Sequence, residues 1–186
     1  MQQAAPEPVR RYESYTHEAM AAEVEAGNDP GAASEIGQGW AGLGARLRES
    51  MQTLTAISEH SREAWEGEGA EAMRATIAKA AKWSGQATEV SYAVAGAVTN
   101  QAGIAARARA EMPPPVSYDP VQMIRDAAGS GDLLTMIGLS DAMAARRAEA
   151  EAARMKAVDV MNSRDAALRG EVPGQSFETP PSLGQP

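Results

Sequence analysis

The chain has no cysteine, which excludes disulfide staples and thiolate metal sites. Aromatic residues are scarce: 4% of 186 residues, with three tryptophans, four tyrosines and one phenylalanine. A thick globular core or a β-sandwich needs more bulk than that. There are two histidines, His17 and His60. Neither has a cysteine, a carboxylate and a second histidine at ligand spacing on its own face. Both are expected at the surface or on a partner face, with no metal and no cofactor. No apolar run approaches the ~20 residues that cross a bilayer. Met1 to Val9 holds neither a basic nor an apolar stretch, so no Sec signal peptide is expected. Positive charge is also in deficit. Lys and Arg number 17 against 25 Asp and Glu, a net charge of -8, which argues against nucleic-acid binding. No Gly-x-Ser-x-Gly, phosphate-cradling loop or paired acidic motif stands out, so an enzyme is not expected.

What is present is alanine and helix period. Hydrophobic residues make up 44% of the chain, yet mean hydropathy is -0.36. That suits an all-α chain whose long helices pack closely through small side chains. The organisation expected is a flexible N-terminus over 1–8, one helical domain over 9–169 and a disordered Pro/Gly-rich tail over 170–186.

A first helix is predicted from Val9 to Ala26, with Gly27 after its end. Asn28-Asp29-Pro30-Gly31 is a turn in which Asp29 caps the next helix and Pro30 occupies its first turn. That second helix is predicted from Gly31 to Ala64, with Ile36, Trp40, Leu43, Leu47, Met51, Leu54 and Ser58 on one face. Gly37, Gly39, Gly42 and Gly44 flank Trp40. Each glycine costs a helix up to ~1 kcal/mol relative to alanine, so close approach of another helix, or a local break, is expected there.

Trp65-Glu66-Gly67 interrupts the pattern and reads as the turn of a two-helix hairpin. A third helix follows from Glu68 to Met112, stopped by Pro113-Pro114-Pro115. Its seam alternates steps of four and three: Met73, Ile77, Ala80, Ser84, Ala87, Ser91, Val94, Val98, Gln101, Ala105 and Ala108. Trp83, Val90, Ala97 and Ile104 form a second row. At ~1.5 Å per residue this helix would be ~65 Å long, so an elongated bundle is expected.

Asp119-Pro120 repeats the start signal of Asp29-Pro30 and opens a short helix to Ala128. Gly129-Ser130-Gly131 is a turn. A last helix is predicted from Asp132 to Arg169, its inner side carrying Met136, Leu139 or Ser140, Met143, Ala150, Ala157, Met161 and Leu168. The stretch from Ala144 to Lys156 is expected to be exposed on most of its circumference. Trp40 and Trp83 are expected as core pins or partner contacts, and the Trp65 indole as a closure for the end of the hairpin.

The order Gly39-Trp40, Trp65-Glu66-Gly67 with Ala70 and Ala72, then Trp83, resembles the PPE-type domain of actinobacterial type VII (ESX) secretion substrates. Asp29-Pro30-Gly31 through Trp40-Ala41-Gly42-Leu43-Gly44, and the exit Met112-Pro113-Pro114-Pro115, resemble PPE-like proteins and the PPE-like half of secreted Esp substrates. The resemblance runs from Tyr12 to Leu168. It implies a non-enzymatic secreted or cell-surface protein, exported by the type VII machinery and paired with a small PE- or WxG-type helical hairpin. Trp65, Glu66 and Gly67 then form the secretion-motif turn, and Trp40, Trp83, Met73, Ile77, Val94 and Val98 the partner or packing face. Four residues after Tyr12, Tyr15, Tyr92 and Tyr118 come Thr16, Ala19, Gly96 and Gln122. The family's Tyr-x-x-x-Asp/Glu export signal would therefore come from the partner. The resemblance also implies a tip that binds a cytosolic secretion chaperone, here Leu133, Leu134, Met136 and Ile137. The alternative at that tip is that the short fourth helix folds back and covers them. Two other functions stay open: a self-assembling homo-oligomeric scaffold or pore-like particle, and the export module of a longer effector.

Overall fold

The computed structural model describes residues 10–26, 29–171 and 174–182. The expected flexible N-terminus over 1–8 lies outside them. The described residues form five α-helices and one 3-10 turn, with no strand among them. The helices are α1 (His17–Glu25), α2 (Pro30–Ala64), α3 (Glu68–Glu111), α4 (Pro120–Ser130) and α5 (Leu133–Gly170).

Two of the starts follow from one device. Asp29 accepts hydrogen bonds from the Gly31 and Ala32 amides at 2.9 and 3.0 Å, and Asp119 does the same for Val121 and Gln122. Each aspartate satisfies amides that have no partner within the helix, and the following proline has none to satisfy. The first helix departs from expectation. It begins at His17, because the Thr16 hydroxyl caps it by accepting from Ala19. Residues Tyr12–Ser14 ahead of it form the 3-10 turn instead.

The chain divides into two compact units interleaved in sequence, one over 1–28 and 104–169 and the other over 29–103 and 170–186. The first unit is built around Tyr12, Met20, Val24, Ala108, Ala157, Val160 and Met161. Tyr12 is anchored at its polar end as well. Its hydroxyl donates to Asp165 at 2.6 Å and accepts from Arg164, which also reaches Glu23 at 2.7 Å. A phenol in an apolar core needs such partners to offset its lost hydration. His17 is a correction to the surface placement expected for it. It is buried, and its Nε2 lies 2.9 Å from the Pro113 carbonyl oxygen. It joins the start of α1 to the chain leaving α3.

The second unit is a long helical hairpin-like pair. As α2 advances, its contacts on α3 recede. Gly37 lies against Ala95 and Thr99, Gly44 against the Tyr92 ring, and Met51 against Gly85. Further on, Ser61 meets Arg74. The two helices are therefore antiparallel and in contact along their length. Only Gly37 and Gly44 are fully buried on α2. A Cβ on Gly44 would sit 3.2 Å from the Tyr92 ring, whereas one on Gly39 would meet nothing within 4 Å. Close approach thus accounts for Gly44, while Gly37 is buried against α3 at ordinary contact distance. Nothing in the structure explains Gly39 or Gly42. No local break occurs, since α2 runs through all four.

Candidate functional site

Three sets of residues were singled out by the sequence: the turn at Trp65-Glu66-Gly67, the hairpin face and the tip after α4. The turn is built in a few steps. α2 ends at Ala64, and Trp65 is extended while its amide still donates to the Ser61 carbonyl at 3.0 Å. Gly67 has φ +104°, a conformation that L side chains rarely adopt. The Gly67 carbonyl then accepts from the Ala70 and Glu71 amides, both at 3.1 Å, and starts α3.

The Trp65 indole is 46% exposed, with Gly69 beneath its edge. It does not close the end of the hairpin. Arg74 does, a residue the sequence reading missed. It is buried at 8% exposure. Its NH1 donates to the Trp65 carbonyl at 3.1 Å and lies within 3.5 Å of the Ser61 carbonyl, while NH2 pairs with Glu71 at 2.6 Å. The guanidinium satisfies the Trp65 carbonyl, adds a second donor near the Ser61 carbonyl that the Trp65 amide already bonds, and opposes the negative end of the helix dipole. The Arg74 hydrogen bond, then its charge, holds the Glu71 carboxyl below its ordinary value. The only signal in the sequence was a lone arginine in the second turn of α3, which nothing separates from a solvated one.

On the hairpin face, Met73, Ile77, Val94 and Val98 are half-buried, as are Trp40 and Trp83. Every position of the α3 seam from Met73 to Ala108 is at least half-buried. The fully buried ones are small or polar: Ser84, Ala87, Ser91 and Ala108. Ser91 and the neighbouring Thr88 return their hydroxyls to α3's own carbonyls at 2.8 Å, so burial leaves neither unsatisfied. On α2, Trp40, Leu43, Leu47, Met51 and Leu54 are half-buried, whereas Ile36, expected on their face, and Ile57 turn outward at 53% and 50% exposure. Trp40 stacks on Phe177 at 5.8 Å between centroids, and the Trp83 Nε1 donates to the Glu178 carbonyl at 2.9 Å. Within the segment expected as a disordered tail, 170–186, Gly170 ends α5 and the described stretch 174–182 makes defined contacts with both tryptophans.

The tip belongs to the other unit. Gly131, at φ +67°, ends α4 in the left-handed conformation. Asp132 then accepts from the Leu134 amide and the Thr135 hydroxyl and starts α5. The Thr135 hydrogen bond, then the Leu134 amide, lowers the pKa of Asp132. Leu133, Leu134 and Ile137 are 74%, 77% and 70% exposed, and Met136 is also exposed. Helix α4 does not cover them and adds exposed Val121 and Ile124. Met136 was also expected on the inner side of α5; it lies before the first half-buried residue of that helix, Leu139. A shallow groove beside the tip is lined by Met123, Ala127, Leu139 and Ala142.

Among the described residues, no three His, Cys, Asp or Glu side chains are grouped to hold a metal ion. None of the described helices is long and apolar enough to cross a membrane. No protein-family model and no curated protein matches this chain.

Proposed function

We propose that this chain is a non-enzymatic PPE-like substrate of a type VII secretion system, acting through helix–helix contact after export without a Sec signal. On this reading the α2–α3 pair is the core of an elongated bundle. A small PE- or WxG-type helical hairpin covers its outer face, and the partner supplies the Tyr-x-x-x-Asp/Glu half of the export signal. The apolar tip at Leu133, Leu134, Met136 and Ile137 is where a cytosolic chaperone holds the chain before export.

The observation that carries the reading is the exposed indole of Trp65 at a helix reversal that requires glycine at position 67. Exposing 46% of a tryptophan wastes the largest apolar side chain available, unless another surface takes it. Trp65→Ala is expected to reduce export from a host carrying a type VII system, with the circular dichroism spectrum unchanged. Normal export of a helical Trp65→Ala chain would sink the role of the turn.

The exposed tip also favours a second reading, a homo-oligomer closed through apolar helix surfaces. Light scattering separates the two. A stable oligomer of the purified chain favours self-assembly, and a monomer that binds tightly to a helical hairpin favours the first reading.

A further inference from the structure

Residues 174–182 form no helix, yet side chains seat them on the α2–α3 pair. Phe177, the chain's one phenylalanine, stacks on Trp40 with the ring planes 26° apart. One residue on, the Glu178 carbonyl accepts the Trp83 indole N–H at 2.9 Å, and its carboxylate accepts from Gln86 Nε2 at 3.4 Å. Just upstream, Asn100 Nδ2 donates to the Glu171 carboxylate at 2.8 Å.

Each contact reads a separate property of the strap. The Trp40 face selects an aromatic ring, since offset rings attract beyond their buried area. An indole N–H can only donate, and a main-chain carbonyl free of any helix is its natural acceptor. Gln86 adds a donor suited to a carboxylate. The seating is also shallow. Phe177 remains 42% exposed, so the ring is covered on one side only. A strap without backbone ladder bonds must offset its ordering entropy with these few anchors. The short connection from α5 helps, because a tethered segment is present at a high effective concentration.

We propose that Trp40, Trp83 and Gln86 form a shelf that recognises an extended peptide carrying an aromatic residue followed by an acidic one, with the 174–182 strap as its displaceable intramolecular occupant. The ligand that reveals the shelf is this chain's own segment, so the inference stands or falls independently of any role in export.

The test uses a fluorescein-labelled synthetic peptide of residues 174–182, with anisotropy measured against the full chain and its Phe177→Ala variant. Removing Phe177 frees the Trp40 face and leaves the strap held only through Glu178 and Glu171, while deleting only a surface contact. The variant is expected to bind the peptide about tenfold more tightly than the unaltered chain, whose own strap competes. Adding Trp83→Phe, which keeps the apolar ring and removes the N–H, is expected to weaken that binding about fivefold. A peptide with alanine in place of its phenylalanine is expected not to bind. Equal binding by the two chains, or binding by neither, overturns the proposal. A dimer that Phe177→Ala converts to a monomer overturns the intramolecular seating and assigns the strap to a second copy.

Discussion

The unit formed by residues 10–26 and 104–169 closes over Tyr12, Met20 and Met161, each at 1% exposure or less. The hairpin unit closes instead over Ala70, Ala87, Val90, Ser91 and two glycines, with valine its largest buried apolar side chain among the described residues. The difference is one of area. A large side chain contributes ~1.5–3 kcal/mol when fully buried, whereas alanine and serine have little to bury. The first unit can therefore hold itself together around a few large groups and the Tyr12–Asp165–Arg164–Glu23 network. The second relies on close backbone approach, on half-buried apolar residues along the seam and on Arg74 at its turn, and it leaves Ile36, Ile57 and Trp65 facing outward. The units differ in what they bury and not in what they expose, since the first also leaves Leu133, Leu134, Met136 and Ile137 outward at its tip.

Substitutions at matched depths should separate the two modes. Met161→Ala removes a fully buried side chain from the first core and is expected to cost ~2–5 kcal/mol in urea unfolding. In the hairpin, Gly44→Leu drives a side chain against the Tyr92 ring, which already carries the Arg48 guanidinium 5.0 Å from its centroid. A loss of ~1–3 kcal/mol is expected, read as a lower thermal midpoint. A smaller loss at Met161 than at Gly44 would break the comparison.

Tyr12 tests the polar part of the first core. Burial first, and the Asp165 hydrogen bond second, push its hydroxyl above the ordinary tyrosine value. An unfolded tyrosine ionises near pH 10 while the folded one keeps its proton. This contribution is therefore intact below about pH 10 and is lost as pH rises toward the higher folded value. Tyr12→Phe is expected to cost ~1 kcal/mol at neutral pH and to flatten that alkaline loss in a stability–pH series. The smallest effect, and one of opposite sign, is expected at Gly39→Ala. A Cβ there meets nothing within 4 Å, so the helix should gain ~0.5–1 kcal/mol by calorimetry.

The helices were legible where one strong local signal marks each end. Asp-Pro gave the starts at Pro30 and Pro120, and Pro113-Pro114-Pro115 follows the end of α3 at Glu111. The heptad on α3 was legible because it repeats for ten steps. Ser84, Ala87, Ser91 and Ala108 are buried where the period places them, but Arg74, Thr88 and Ala95 are buried on a row it did not mark. The start of α1 was not legible. Thr16 caps the helix seven residues later than Val9, and Tyr12 leaves the helical path to reach Asp165, which lies 153 residues away along the chain. Of the candidate residues, those at the tip were legible as apolar and crowded. Whether α4 covered them depended on packing.

The amino-acid sequence by itself determined the helix periods and the Asp-Pro starts of α2 and α4, because these depend on neighbours within a turn or two of the chain. Tertiary structure alone decided that His17 is buried against Pro113, that Arg74 locks the hairpin, and that Phe177 and Glu178 engage Trp40 and Trp83. These contacts cross between elements: 96 residues separate His17 from Pro113, and even the nine between Arg74 and Trp65 span the turn from one helix to the next. A lone histidine, arginine or phenylalanine carries no local mark of the partner that folding brings to it.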